Sequence, residues 1–119
     1  MSVFRQGFPA ASLQLATTPG DVLFTCPAGF TATIEDYSDL NTTATDCTTT
    51  AHIVRSGGSI ADNNQVLSAS AAPKETTAPS GSIRYPMIGK TMNPGDFIQS
   101  FASAGSAVTP MGTVRLEAQ

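Results

Sequence analysis

What most limits the fold of this chain is the near absence of a helical period. Eight prolines and ten glycines are spread along it, and no stretch between them carries the pattern of a long helix. The intervening runs are short and rich in β-branched and aromatic residues, which favour strands. Residues 21–26 (DVLFTC) are such a run. In residues 30–36, Phe30, Ala32 and Ile34 share one face, while Thr31, Thr33 and Glu35 share the other. Tyr37 then falls on the wrong parity to continue the apolar face. One extra residue near Glu35 and Asp36 restores it, so a bulge or a strand end is expected there. Residues 39–45 read as a polar loop.

Residues 47–55 (CTTTAHIVR) predict a strand with Thr49, Ala51 and Ile53 on one face. A short strand follows at 65–69, then a longer loop at 71–81. Ile83, Tyr85 and Met87 alternate as a strand. Residues 97–102 are apolar on both faces, which fits the centre of a sheet or an interface. Short strands near Val108 and over 113–117 close the pattern, with Val114 and Leu116 inward. Pro27-Ala28-Gly29 predicts a tight turn, and Asn93-Pro94-Gly95-Asp96 a type II turn with glycine at the position that needs positive φ. Seven or eight short strands of this kind predict an all-β chain, a single jelly-roll-like β-sandwich over residues 20–119.

Residues 1–19 read as an extended N-terminal arm with one strand near 13–15. Phe4 and Phe8 lie outside the alternating core strands. They either fold back on the domain or anchor the arm on a neighbour, since aromatics dominate interface energetics. Alone, the arm cannot bury enough apolar surface to offset its ordering entropy. Two Phe rings left in water are unfavourable by roughly 1.5–3 kcal/mol each relative to full burial. The expectation is therefore an arm that crosses to a partner through Phe4 and Phe8. Phe97 and Phe101 are the other candidate interface residues.

Composition narrows the function. Charged residues make up 13% of the chain, against a usual share of about 25%. A polar but weakly charged exterior suits tight packing against other proteins or other copies. The net charge of −3 comes with no basic stripe, which argues against nucleic-acid binding. No run is apolar enough to span a membrane, and residues 1–16 lack the pattern of a secretion signal. Assembly in the cytoplasm is expected, where Cys26 and Cys47 favour free thiols, although a fold of this kind can make them spatial neighbours.

No catalytic, cofactor or metal site is expected. His52 is the only histidine; it points away from the Ile53 face and reads as a surface or interface residue. No serine sits in a nucleophile elbow beside it. One His and two isolated Cys do not make a zinc site. Asp36, Asp39, Asp46 and Asp62-Asn63-Asn64 lack the spacing of a calcium loop and read as solvated. Ser56-Gly57-Gly58-Ser59 lacks the lysine of a phosphate-binding loop. Asn41-Thr42-Thr43 matches a glycosylation acceptor, without a secretion signal to give it meaning.

One resemblance stands out. Leu23-Phe24-Thr25-Cys26-Pro27-Ala28-Gly29 resembles the opening of many short virion proteins of tailed bacteriophages, in which a strand ending in Pro-Ala-Gly leads into a second strand and a polar loop with an Asn. Thr31-Ala32-Thr33-Ile34 and Asn41 fill those places. Ile53-Val54-Arg55-Ser56-Gly57-Gly58 matches a strand ending at a Gly-Gly turn, and Pro94-Gly95-Asp96-Phe97-Ile98 matches a turn before an apolar strand. The resemblance spans about residues 15–117. The loop at 71–81 and Cys26 depart from it.

It implies a non-enzymatic β-sandwich component of a phage particle, assembled in the host cytoplasm. The expected role is a capsid decoration, or cement, protein that binds the major capsid protein and other copies of itself as a homotrimer. The alternative is a tail, baseplate or fibre-adaptor protein. A carbohydrate-binding module is a third reading. With no Trp and only Tyr37 and Tyr85, the chain is poor in the aromatic platforms such modules use.

Overall fold

A computed structural model of the protein describes residues 3–18, 20–43, 45–72 and 82–119, apart from the side chains at 62, 69 and 71. Its strands are β1 (Val3–Phe8), β2 (Asp21–Thr25), β3 (Phe30–Asn41), β4 (Cys47–Val54), β5 (Gln65–Ala72), β6 (Ser82–Ile83), β7 (Thr91–Met92), β8 (Phe97–Ala102) and β9 (Val108–Ala118). Single 3-10 turns at Asp62–Asn64 and Tyr85–Met87 are the only helical elements among the described residues. Two antiparallel sheets pack together. One has the order β1-β9-β3, with both β6 and β7 on the far side of β3; the other has the order β2-β8-β4-β5.

The long strands β3 and β9 form the spine of the first sheet, paired from Phe30 and Ala118 to Asn41 and Val108. Their register shifts between Ile34 and Asp36, so the expected bulge is present at Glu35. It moves the inward positions from Ala32 and Ile34 to Tyr37, Asp39 and Asn41, all buried. The expected loop at 39–45 thus begins only after Asn41. The bulge keeps β3 paired, and β9 offers partners as far as Val108. For the same reason β9 is one strand, where two short ones were expected.

The N-terminal segment also departs from expectation. Residues 3–8 are not a free arm: they pair with β9 from Val3 opposite Glu117 to Phe8 opposite Gly112. Phe8 is only 3% exposed, with ring centroids 5.7 Å from Tyr37 and 6.0 Å from Phe24. Gly112 makes this possible. A Cβ there would collide with the tip of the Phe8 ring and with the Asp36 carbonyl, so the mid-strand glycine marks a close approach. Residues 13–15 form no strand, yet Leu15 is buried, and its N–H donates to the Val108 carbonyl at 2.8 Å. Phe8 thus finds its apolar surface within the chain itself, against Tyr37, Phe24 and the backbone at Gly112, while Phe4 touches Phe30 and stays half exposed.

The strand expected through Ile83, Tyr85 and Met87 stops at Ile83, and Tyr85–Met87 turn as a 3-10 helix with proline in the first turn. Pro86 has no N–H to give to a ladder, which favours the turn over continued pairing. Of the loop expected at 71–81, residues 71–72 belong to β5 and 73–81 lie outside the described residues.

The two expected turns are formed. Gly29 has φ +83° and Gly95 φ +86°, and the Asp96 N–H donates to the Asn93 carbonyl at 3.0 Å. A Cβ on Gly95 would also lie 2.8 Å from Ser56 Cβ. Gly95→Ala is therefore expected to cost at least about 1 kcal/mol from the backbone alone, with steric strain added. A urea-unfolding midpoint equal to that of the wild type would contradict this geometry.

Candidate functional site

The four aromatic residues expected at an interface fall in three different places. Phe8 is core. Phe4, 52% exposed, meets Phe30 edge-on at a centroid distance of 6.0 Å near the rim of the sandwich. Phe97 and Phe101 are half-buried on β8. That strand lies between β2 and β4, so its apolar character on both faces reflects a central position. Ile98, Ser100 and Ala102 are buried, and Phe97, Gln99 and Phe101 alternate with them.

His52 differs from its expected surface position and is 2% exposed. Its ring stacks on Phe101 at 6.3 Å, and its Nδ1 lies 2.7 Å from Asn64 Oδ1. That oxygen also accepts from the Ala61 N–H, and Asn64 Nδ2 donates to the Ser59 carbonyl. An amide oxygen only accepts, so Nδ1 carries the proton. The loop after β4 is thereby pinned against β4, and the histidine acts as an anchor for that loop.

A second anchor lies at the start of the same loop. Asp96, almost fully buried, accepts from Arg55 Nη1 at 2.7 Å, the Asn93 N–H at 2.8 Å and the Ser56 N–H at 2.9 Å. Burial alone would raise its carboxyl pKa; the donors from Asn93, Arg55 and Ser56 outweigh it and hold the group below the usual carboxylate range. Its contribution to stability is therefore present above the ordinary value of 3.8 and lost as pH falls through the lowered one. Asp96→Asn is expected to be less stable by about 2 kcal/mol at neutral pH. The gap to wild type should close in strong acid, as read by urea unfolding across a pH series. A pH-independent gap would contradict the assignment.

Between these anchors and the far sheet runs a groove of about 570 Å³. Arg55 and Lys90 are its charged walls, Asn63, Asn64, Gln65 and Thr91 supply amides and a hydroxyl, and Ile53, Val54 and Val66 are apolar. A smaller hollow of about 370 Å³ lies between β1 and β2, beside Phe8 and Phe24.

The other polar cluster is internal. Asp39 Oδ2 accepts from Arg84 Nε and Thr49 Oγ1, each at 2.8 Å, and Arg84 Nη2 donates to Thr49 Oγ1 at 2.8 Å. Burial pushes the Asp39 carboxyl up in spite of these donors. The Tyr37 hydroxyl bonds Ser100 Oγ at 2.7 Å, and burial pushes the phenol up as well. Asn41 Nδ2 donates to the carbonyls of Thr45 and Ala72. Asp39 and Asn41 were expected in a solvated loop; both point inward and tie β3 to β4 and β5. Asn41, buried, is not presented as a glycan acceptor.

Cys26 and Cys47 are buried free thiols, and burial raises both. Cys26 Sγ lies 3.3 Å from the Phe30 carbonyl, and Cys47 Sγ 3.4 Å from Asn41 Nδ2. Among the described residues no group of three or more His, Cys, Asp or Glu is placed to hold a metal ion. Among the described residues no helix is long and apolar enough to cross a membrane.

Comparison of the chain with protein-family models, with curated proteins and with solved structures gives no match.

Proposed function

We propose that the protein is a jelly-roll structural component of a phage particle, acting as a capsid decoration protein. The observation that carries this reading is the strand order. The orders β1-β9-β3-(β6, β7) and β2-β8-β4-β5 place strands from the two ends of the chain side by side, and the chain passes between the sheets at every step except from β4 to β5 and from β6 to β7. This order supports a jelly-roll reading of the two sheets. β6 and β7 both pair with β3, at Ser38–Asp39 and at Ala32–Thr33, and together fill the place of one edge strand.

The sequence resemblance to short virion proteins and the weakly charged exterior support the same role. The buried charged groups Asp39, Arg84 and Asp96 hold strands and loops together, which fits a non-enzymatic component. In this reading the protein binds the major capsid protein and its own copies as a homotrimer, without nucleic acid or membrane. Phe4 on one sheet and the half-buried Phe97 and Phe101 on the other supply separate apolar contacts.

The test is the abundance of the protein in purified particles relative to the major capsid protein. A ratio near one is expected for decoration. A handful of copies per particle would move the assignment to the tail, baseplate or fibre adaptor. Absence from particles would end the proposal.

A further inference from the structure

The groove between the sheets is lined by side chains of which only some, Arg55 and Asn64, also hold the fold together. Arg55 is held to Asp96 through Nη1, and its side chain is otherwise largely exposed. Lys90 makes no ion pair among the described residues and stands exposed on the opposite wall. No acidic side chain lines the groove among the described residues. On a chain of net charge −3, the exposed charges on the groove are thus both cationic, and the carboxylate that offsets Arg55, Asp96, is buried.

The walls are also preorganised. Asn64 fixes the loop to buried His52, and Asp96 fixes Arg55 and the Ser56 N–H at the loop's start. The register of β4 and β5 pairs Ala51 with Leu67 and His52 with Gln65. This leaves Val66 as the extra residue of a bulge on an edge strand, and such bulges re-aim a side chain. Here Val66 becomes part of the groove's apolar lining beside Val54. The volume falls in the roughly 300–1,000 Å³ range of ligand-binding clefts.

From these features we infer that the groove binds an extended acidic peptide segment of another protein. Arg55 and Lys90 receive its carboxylates. Asn63 and Gln65 both donate and accept, matching the alternating N–H and C=O of an extended backbone. Val54 and Val66 take an aliphatic side chain. Among the described residues no aromatic side chain lines the groove, so it lacks the stacking platform that a sugar ring would use. This inference does not depend on where in a particle, or whether in one, the protein is mounted.

The test is a titration of the full chain, followed by backbone amide NMR shifts, with a capped synthetic pentapeptide alternating leucine and glutamate. The expected result is saturable shifts confined to residues 53–66 and 89–92. The counterpart with glutamine in place of glutamate should produce none. Lys90→Glu, at an exposed site, should keep the wild-type melting temperature and weaken binding at least about tenfold through charge reversal. Non-saturable shifts, shifts elsewhere, equal binding of the glutamine peptide, or undiminished binding by Lys90→Glu would each overturn the inference. So would tighter binding of trigalacturonate than of the peptide, which would make the groove an acidic-saccharide site.

Discussion

Replacing Phe8 with alanine is expected to lower the free energy of unfolding by about 3–5 kcal/mol, the range for deleting a buried aromatic side chain. The ring lies against Tyr37 and Phe24 and fills the space left by Gly112. Gly112 brings no side chain to fill that space when the ring is removed. Phe4→Ala, on the same strand but half exposed, should cost far less, within about 1 kcal/mol. Deleting residues 2–8 should go further, because it also removes the ladder from Val3 to Phe8 along β9. Chemical denaturation of the three variants separates a core strand from a docking arm. A truncated protein that unfolds at the wild-type urea concentration would restore the arm.

The second large effect is expected at Arg84. Arg84→Met removes the guanidinium from Asp39 and Thr49 and leaves a buried carboxylate without its counter-charge. Breaking a buried pair in this way costs about 3–5 kcal/mol. The sign of its pH dependence follows from Asp39. Its carboxyl is already pushed up by burial with Arg84 in place, and loss of the cation pushes it further. A raised carboxyl contributes stability below its ordinary pKa that is lost as pH rises through the folded value. The variant should therefore recover toward wild type in mild acid. Asp39→Leu combined with Arg84→Met should recover much of the loss at neutral pH, because an apolar pair leaves no buried charge. A single variant equally destabilised at every pH, and not rescued by the double change, would show that the pair acts only through packing.

Much of the strand pattern was legible because it is local. The parity break at Tyr37 announced the bulge at Glu35, and glycine two places after Asn93 announced the positive-φ turn. The inward faces of Phe30–Ile34 and Val114–Leu116 followed from alternation alone. The features that were not legible depend on partners far along the chain. Phe8 looked stranded among Gly7 and Pro9 because the glycine that admits its ring is Gly112, on a strand that had not been assigned to it. Asp39 and Asn41 looked like loop residues because polarity usually marks solvent, and Arg84, which bonds Asp39, comes 45 positions later.

The groove was invisible for the same reason. Its cations, Arg55 and Lys90, belong to opposite sheets, and neither stands in a recognisable motif. His52 seemed exposed because its face of β4 lies opposite to Ile53, and nothing in the local pattern said that the loop carrying Asn64 would fold over it.

The pairing of β1 with β9 has a mechanical consequence. The strands are antiparallel, and the outermost pair is Val3 with Glu117. A force that separates these two points acts across the ladder, perpendicular to both strands. It would open the hydrogen bonds one pair at a time toward Phe8, as a zipper opens, and would never load them together in shear. A pull of this kind meets its first firm resistance at Phe8, where the ring is lodged against Gly112. The same ladder loaded along the strands would have to break its bonds together, so its resistance to force depends on direction.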